Sequence, residues 1–574
     1  MTIKRIAAVG AALAIGAAAI FWNVNSEILA QRAEIDDLSE ASQYRSLIDS
    51  DDLGWLVPGQ TEEGWQPRRD LPAWPIPTPM DWDADPFNDR NWRAHLEGWR
   101  IMDSVLQSAY VHGDASDLPS LVPLFMAWPD FYESLEPDRQ RYADSNAGNR
   151  AMRLALLIDA YRSGDLPLGD AERETLFDLA QTEVEHLSTP GKMVLGNHGL
   201  FEVSGLDRLC EVAHDEPFCA EGRRIASEHF DRLVDSQFDE HGVHREHSPS
   251  YHFFAKRVIR GFGLTDRFAS GRGVERVVKA ETVGGWLVFP DDRISRIGDS
   301  DGNETPLSDA SGHIHCLDED SCYAVAPTWR SGYGIVRSLP EDAAENSSML
   351  FLMGMYHNGA HKHADDLSFE LFEFGRPLIV DTGKYGYQRD EMRDYVVTDV
   401  AHNTVGIEGR QYIPRDLPPY GNALEEPRIV DGAFVLSGRI ERPDDFANER
   451  ELIYRPGRWL IVHDRLEAEE ELAYASRLHF HDELEVEIAG RILTADFDEG
   501  TTMQVELVDD DCELSTFHGS EEPMRGWHSV GYLEMVPTTM AEAVCPGQVR
   551  TISWVVSFDR AARQEALSRI EELN

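Results

Sequence analysis

The chain has 574 residues, with 103 Asp and Glu against 53 Lys and Arg, for a formal net charge of −50 at pH 7. That balance excludes nucleic acid as a partner, because phosphate recognition rests on cationic contacts that release counterions. A hydrophobic content of 42% with 13 Trp excludes disorder as the main state, and the length allows more than one core. So acidic a surface suits a saline habitat, where a short Debye length screens its self-repulsion.

Lys4 and Arg5 precede an unbroken apolar run from Ile6 to Trp22. Basic residues before a short Ala-rich core form an export-signal pattern, and the run is also near the ~17-residue lower limit of a membrane span. A cleaved signal over residues 1–30 and an uncleaved anchor through residues 6–22 both stay open. Ala17-Ala18-Ala19 and Ile28-Leu29-Ala30 are the candidate cleavage points. Either way the body is expected to be exported: periplasmic, membrane-anchored and facing outward, or secreted. The six Cys fall into three local pairs, Cys210 with Cys219, Cys316 with Cys322, and Cys512 with Cys545. Each pair can close a small loop in an oxidising compartment. Residues 31–90 form an N-terminal segment: 31–57 is polar and helical in part, and 58–87, rich in Pro and Trp, is extended and wraps a domain surface to bury its aromatics.

From about Asn91 to Gly285 the pattern is helical, within a first domain expected over 91–320. WRAHLEGWRIMDSVLQSAY, NRAMRLALLIDAYRSG, AERETLFDLAQTEVEHLS, GRRIASEHFDRLVDSQF and YHFFAKRVIRGFGLTDRF carry apolar residues at three-to-four spacing, separated by Gly, Pro, Asp and Ser. Consecutive helices with short connections bury one face each, as in bundles and helical toroids. From about 321 to 574 short β-branched and aromatic runs take over, among them GYGIVRSL, SSMLFLMGMY, GAFVLSGRI, RWLIVHDRLE and RTISWVVSF. Their spacing predicts a large antiparallel sandwich, so the fold class is α then β in two domains.

Two polar constellations interrupt these patterns. Residues 356–404 hold His361, His363, Asp381 and His402 in a segment that otherwise reads as strand. Neighbouring strands can deliver His363 and Asp381 to one site, and His402 completes a nitrogen and oxygen donor set that suits zinc. The helical half contains Asn197-His198-Gly199 followed by Glu202, and HGVHREHSPSYHFF with His244, Arg245, Glu246, His247 and Tyr251. Ser248 and Pro249 are good helix starters, which puts Tyr251 in a first turn. Taken singly, Asn197 reads as a helix cap and Tyr251 as a core aromatic.

Together the motifs GNHGLFE at 196–202, REHSPSYHFF at 245–254, IGDSDG at 297–302, HKHADDLSFELFEFGRPLIVDTGKYGY from 361 and AHNTV at 401–405 resemble the heparinase II/III-like superfamily of polysaccharide lyases. The resemblance implies an incomplete (α/α) toroid followed by an antiparallel β-sandwich. It also implies β-elimination on an acidic, uronate-containing polysaccharide, leaving 4,5-unsaturated uronate ends. Asn197 and His198 would neutralise the sugar carboxylate, Tyr251 would be the principal acid/base, and His361 would be a second proton-transfer or substrate-binding residue. His363, Asp381 and His402 would hold a structural zinc beside them. Arg245, Glu202, His247 and Tyr395 are the further substrate-contact candidates, and Arg389, Arg393 and Arg415 lie in suitable segments. No basic run of the kind that grips highly sulfated heparin is present, which favours lightly sulfated or non-sulfated chains such as alginate.

Three other readings compete. His363-x-Asp365 with His402 imitates the facial triad of an iron/2-oxoglutarate oxygenase. A non-catalytic carbohydrate-binding or export protein can share the scaffold. A glycoside hydrolase needs a carboxylate pair, which so acidic a chain neither supports nor excludes.

Overall fold

The computed structural model describes residues 60–573, apart from 62, 69–70, 270, 272, 306–311, 319–320, 340–343, 389, 443–444 and 499–500. The apolar run at 6–22, the polar stretch 31–57 and Arg389 therefore lie outside the described residues. Among the described residues no helix is long and apolar enough to cross a membrane. Helices come first and strands second, as the change of period predicts. The helices are α1 (Arg90–Glu97), α2 (Asp103–His112), α3 (Val122–Ser134), α4 (Pro137–Asp144), α5 (Ala147–Ser163), α6 (Asp170–Ser188), α7 (His198–Val212), α8 (Gly222–Gln237), α9 (Pro249–Gly261), α10 (Leu264–Arg267) and α11 (Gly273–Gly284).

The chain divides into two compact units, the first running to Phe230 with Val258–Gly271, the second comprising Asp231–Arg257 and the chain beyond Gly271. In the first unit, the helix expected over 92–110 is broken between α1 and α2, where Trp99 takes φ +62. Trp99 is fully buried and packs edge-on to Trp128, so ring packing holds the left-handed backbone that propensity disfavours. The Pro- and Trp-rich segment buries its aromatics as expected: Trp65, Trp74 and Phe87 pack around Trp92, and Trp82 meets Trp99 and Trp128. Helices α5 and α7 cross at two glycines. A Cβ on Gly148 would lie 2.5 Å from the Glu202 nitrogen, and one on Gly205 would lie 2.4 Å from the Gly148 carbonyl oxygen. Only Gly permits this approach, which fixes the helix that begins with His198.

The second unit is built on two large antiparallel sheets. The smaller is a six-stranded meander: β1 (His313–Cys316), β2 (Cys322–Val325), β3 (Tyr333–Ser338), β4 (Met349–Met353), β5 (Phe369–Glu373) and β6 (Arg376–Ile379). Strands β3, β4 and β5 are buried along their whole length, because both faces are covered. Val336, Leu350, Leu352 and Leu371 face the core shared with the large sheet. Ile335, Met349, Phe351 and Met353 face Val243, Val283, Trp286 and Leu287 from the flanking helical segments. That second apolar face is why residues 231–257 group with the strands.

The larger, ten-stranded sheet is built on β7 (Val405–Ile407), β8 (Arg428–Val430), β9 (Ala433–Arg442), β10 (Phe446–Arg455), β11 (Trp459–His479), β12 (Val486–Ala489), β13 (Ile492–Asp498), β14 (Thr501–Leu507), β15 (Glu513–His518) and a final long strand, Thr539–Ser557. The 21-residue β11 pairs with that 19-residue strand across a register shift between Glu467 and Leu472, where the acidic run is exposed. The three local cysteine pairs are disulfides: Cys210–Cys219, Cys316–Cys322 and Cys512–Cys545. The stretch 380–404 departs from the strand expectation. After β6 it holds a short helix, α12 (Glu391–Val396), and a 3-10 turn at Asp399–Ala401.

Candidate active site

Three of the sequence motifs meet within the second unit. Ser248 Oγ donates to the Asp299 carbonyl (2.9 Å), pairs with Ser300 Oγ (2.8 Å) and accepts the Tyr251 N–H (3.2 Å) at the start of α9. The Asp299 N–H donates to the His361 carbonyl (3.1 Å). Gly298, at φ +60, makes the junction: a Cβ there would lie 2.5 Å from the His247 carbonyl oxygen and 2.9 Å from that of His361. His247 and His361 themselves take φ +61 and +54, positions that non-Gly residues seldom occupy and that the surrounding bonds enforce.

This backbone frame sets out a row of proton-handling side chains. The Tyr251 ring stacks on His361 at 3.4 Å between centroids. The Tyr251 and Tyr387 hydroxyls share a hydrogen bond of 2.7 Å. His361 Nδ1 lies 2.9 Å from Glu246 Oε2, close enough for an ion pair but too oblique for a hydrogen bond. The Arg393 guanidinium sits over the Tyr387 ring and clasps Asp299 at 2.5 and 3.2 Å. Burial and the nearby carboxylates Asp299, Asp301 and Glu246 raise the Tyr251 phenol above its usual range, against the pull of the Tyr387 hydroxyl. Tyr251 is thus a neutral phenol at neutral pH. Tyr387 is 44% exposed, so the row opens to solvent.

Behind this row lies the expected metal-ligand set. His363, Asp381 and His402 are fully buried, and one donor atom from each lies within 4.8 Å of the others. His402 Nδ1 is 2.8 Å from Asp381 Oδ2, and His363 Nε2 is 2.9 Å from Asp299 Oδ1. His363 Nδ1 and His402 Nε2 are buried without a hydrogen-bond partner. Orphaned imidazole nitrogens beside a buried carboxylate fit a divalent ion, and a carboxylate on the far nitrogen of His363 is the usual support for a metal-binding histidine. Asp365 is instead paired with Lys362, which removes it from a facial triad, and the sheet architecture is not the compact barrel that the oxygenase reading needs.

Other sequence candidates serve different ends. His247 is fully buried, its Nδ1 2.9 Å from the Ala360 carbonyl oxygen and its Nε2 accepting the His357 N–H at 2.8 Å, so it holds the loop that carries His361 rather than meeting a ligand. Tyr395 is buried in an apolar cluster with Val396, Val400 and Ala401, which makes it a core aromatic rather than a substrate contact. Arg245 is half-buried and donates to the Asp235 carbonyl at the end of α8. In the first unit, Asn197 stands at the start of α7 but makes no capping hydrogen bond, and His198 is exposed. Glu202 is buried and accepts the Val194 N–H at 2.7 Å; burial raises its carboxyl to about 7, and it braces the loop before Asn197. Tyr387, Glu246 and Asp299 went unassigned in the sequence reading. They lay inside the quoted motifs, but spacing alone does not tell which side chains converge.

A helical half followed by a six-stranded meander packed on a ten-stranded sheet is the order that the expected toroid-plus-sandwich fold requires. Residues 326–555 match the family described as heparinase II/III-like, C-terminal. The chain is similar to the crystal structure of heparinase III, with TM-score 0.67, 13% identity, and coverage of 90% of this chain and 84% of that one. It is also similar to heparan sulfate lyase HepC from Pedobacter heparinus, with TM-score 0.60, 15% identity, and coverage of 92% and 83%. A further heparinase III structure matches with TM-score 0.64 at 15% identity, covering 89% and 84%. No curated protein sequence matches the chain. Residues 326–555 thus match the family that the motifs of this chain resemble, and the solved structures share its fold.

Proposed function

We propose that the protein is a lyase that cleaves a uronate-containing polysaccharide by β-elimination. The observation that carries this reading is the Tyr251–His361 stack, with Tyr387 on one side and Glu246 on the other. The C5 proton of a uronate becomes acidic only when the adjacent carboxylate is neutralised, so that charge can develop there. Asn197 and His198 are assigned that neutralising role. His361, with its Nδ1 turned to Glu246, takes the C5 proton at Nε2. Tyr251, a neutral phenol, gives its proton to the departing O4 as the C4–O bond breaks. The products are a 4,5-unsaturated uronate end and a new hydroxyl end; no water is consumed. The imidazolium and phenolate left behind restore each other by proton exchange.

His363, Asp381 and His402 would hold zinc, which would fix the loop between β4 and β5 that carries His361. The acidic balance of the chain and the lack of a basic run favour a lightly sulfated or non-sulfated polymer. The three disulfides agree with export to an oxidising compartment. The test is a panel of uronate polymers, followed by the ultraviolet absorbance of the unsaturated product. Tyr251→Phe should remove most of kcat and leave binding largely intact, because the lost proton transfer belongs to the transition state. A saturated product carrying oxygen from labelled water would reject the reading in favour of a hydrolase. Retained polymer binding with no turnover of any member would favour the carbohydrate-binding alternative.

A further inference from the structure

A second cluster with metal-ligand composition uses none of the residues assigned so far. His481, Asp482 and His528 each offer a donor atom, and the three lie within 4.8 Å of one another. His528 Nδ1 is 2.6 Å from Asp482 Oδ1, and His481 Nε2 is 3.6 Å from the same oxygen. The two rings stand edge to face at 5.5 Å. Both histidines are buried, while the Asp482 side chain keeps 23% of its surface exposed, which gives an ion access from solvent.

The backbone holds these donors in place from one strand. The His481 N–H donates to the Leu378 carbonyl (3.1 Å), and the Ser529 N–H donates to the Thr382 carbonyl (3.0 Å). Both ligand segments therefore hang on β6 and its continuation. His528 belongs to a hairpin, Trp527–Gly531 paired with Glu534–Pro537, and Ser529 Oγ donates to the Lys384 carbonyl at 2.6 Å. His528 Nε2 is buried with no hydrogen-bond partner. With the proton on Nε2, the Nδ1 lone pair faces Asp482 Oδ1, an arrangement of two electron-pair donors that a shared cation would stabilise.

We propose that His481, Asp482 and His528 form a second site for a zinc-type divalent ion, one that pins the 527–537 hairpin to the sandwich. Two imidazoles and one carboxylate, with the remaining position open to water, are a common zinc donor set. The charges that face the cluster are Arg296, which opposes a cation, and Asp381, Asp482 and Glu483, which favour one. The Arg296 guanidinium is already committed to the Asp301 and Ser529 carbonyls.

The experiment is metal stoichiometry on the full chain, stripped with a chelator, reloaded with zinc and measured by atomic emission. Parallel samples carry His481→Gln, His528→Gln and His402→Gln, with circular dichroism as the check on folding. The expected result is about two zinc ions per chain in the parent, with one lost in His481→Gln and in His528→Gln, and a different one lost in His402→Gln. Should His402 contribute to no metal site, the parent holds a single ion that His481→Gln removes, and the proposal still stands. A parent that holds one ion, removed by His402→Gln and untouched by His481→Gln, overturns it. So does a parent with two ions that both survive His481→Gln. Because His481 lies just past the end of a long strand and His528 sits in a hairpin, a folding failure in one variant leaves the other to decide.

Discussion

Removing the Tyr387 hydroxyl tests the acid–base row most directly, because Tyr387 touches Tyr251 through one atom. In the resting protein the two phenols share a neutral hydrogen bond of 2.7 Å. Such a bond contributes about 1 kcal/mol net. As Tyr251 gives up its proton, the same contact becomes a hydrogen bond to a developing phenolate, worth about 1.5–3 kcal/mol. Tyr387→Phe forfeits the difference between the two, about 0.5–2 kcal/mol, in the transition state. At about 1.4 kcal/mol per tenfold, kcat should fall by about 2- to 30-fold. KM should change little, because the ring stays in place beneath the Arg393 guanidinium. The Tyr387 contact also pulls the Tyr251 pKa down, so its loss leaves Tyr251 an even weaker acid. The assay is the initial rate of unsaturated-uronate formation across substrate concentrations, for parent, Tyr251→Phe, Tyr387→Phe and the double variant. The double variant should be no slower than Tyr251→Phe alone, because the two hydroxyls act as a unit. A Tyr387→Phe variant within twofold of the parent in kcat, or one that changes only KM, refutes the argument.

Other consequences follow from buried groups and from the metal-ligand set. Glu373 is buried on β5, accepts the Tyr454 hydroxyl at 2.6 Å, and is raised by burial to about 8. A folded pKa above the unfolded one means that the fold holds a proton the unfolded chain releases, so its contribution to stability is lost as pH rises from about 4.5 to about 8. Glu373→Gln should therefore be the more stable protein at pH 8 by up to about 4 kcal/mol, with the difference closing toward pH 4.5, as read by denaturant midpoints. His363→Ala should lower zinc content and Tm together, since a ligand set this buried forms only with the fold; unchanged Tm with full metal retention would remove the site. Asn197→Ala should cost about 10²–10³ in kcat at constant Tm if its amide stabilises charge in the transition state, and a change confined to KM would restrict it to binding.

Much of this architecture is legible in the chain itself, because hydrophobic period is a local property. Three-to-four spacing in NRAMRLALLIDAYRSG becomes α5, and short β-branched runs such as GYGIVRSL and SSMLFLMGMY become β3 and β4. Short-range cysteine spacing likewise foretells three local disulfides. The candidate metal-ligand cluster was legible too, since His363 and Asp381 flank two adjacent strands that bring them together. Packing at long range decided the rest. Trp99 breaks a helix that its neighbours support, because burial among aromatic rings outweighs the cost of one left-handed residue. His247 and Tyr395 share the residue types of a binding site but are directed inward, one onto two backbone groups and the other into an apolar cluster. Tyr387 and Glu246 enter the site only because Gly298 lets three loops from distant parts of the chain close on one another. The composition of an active site is written in the sequence, but the direction of each side chain belongs to contacts between residues more than a hundred positions apart, such as Tyr251 with Tyr387.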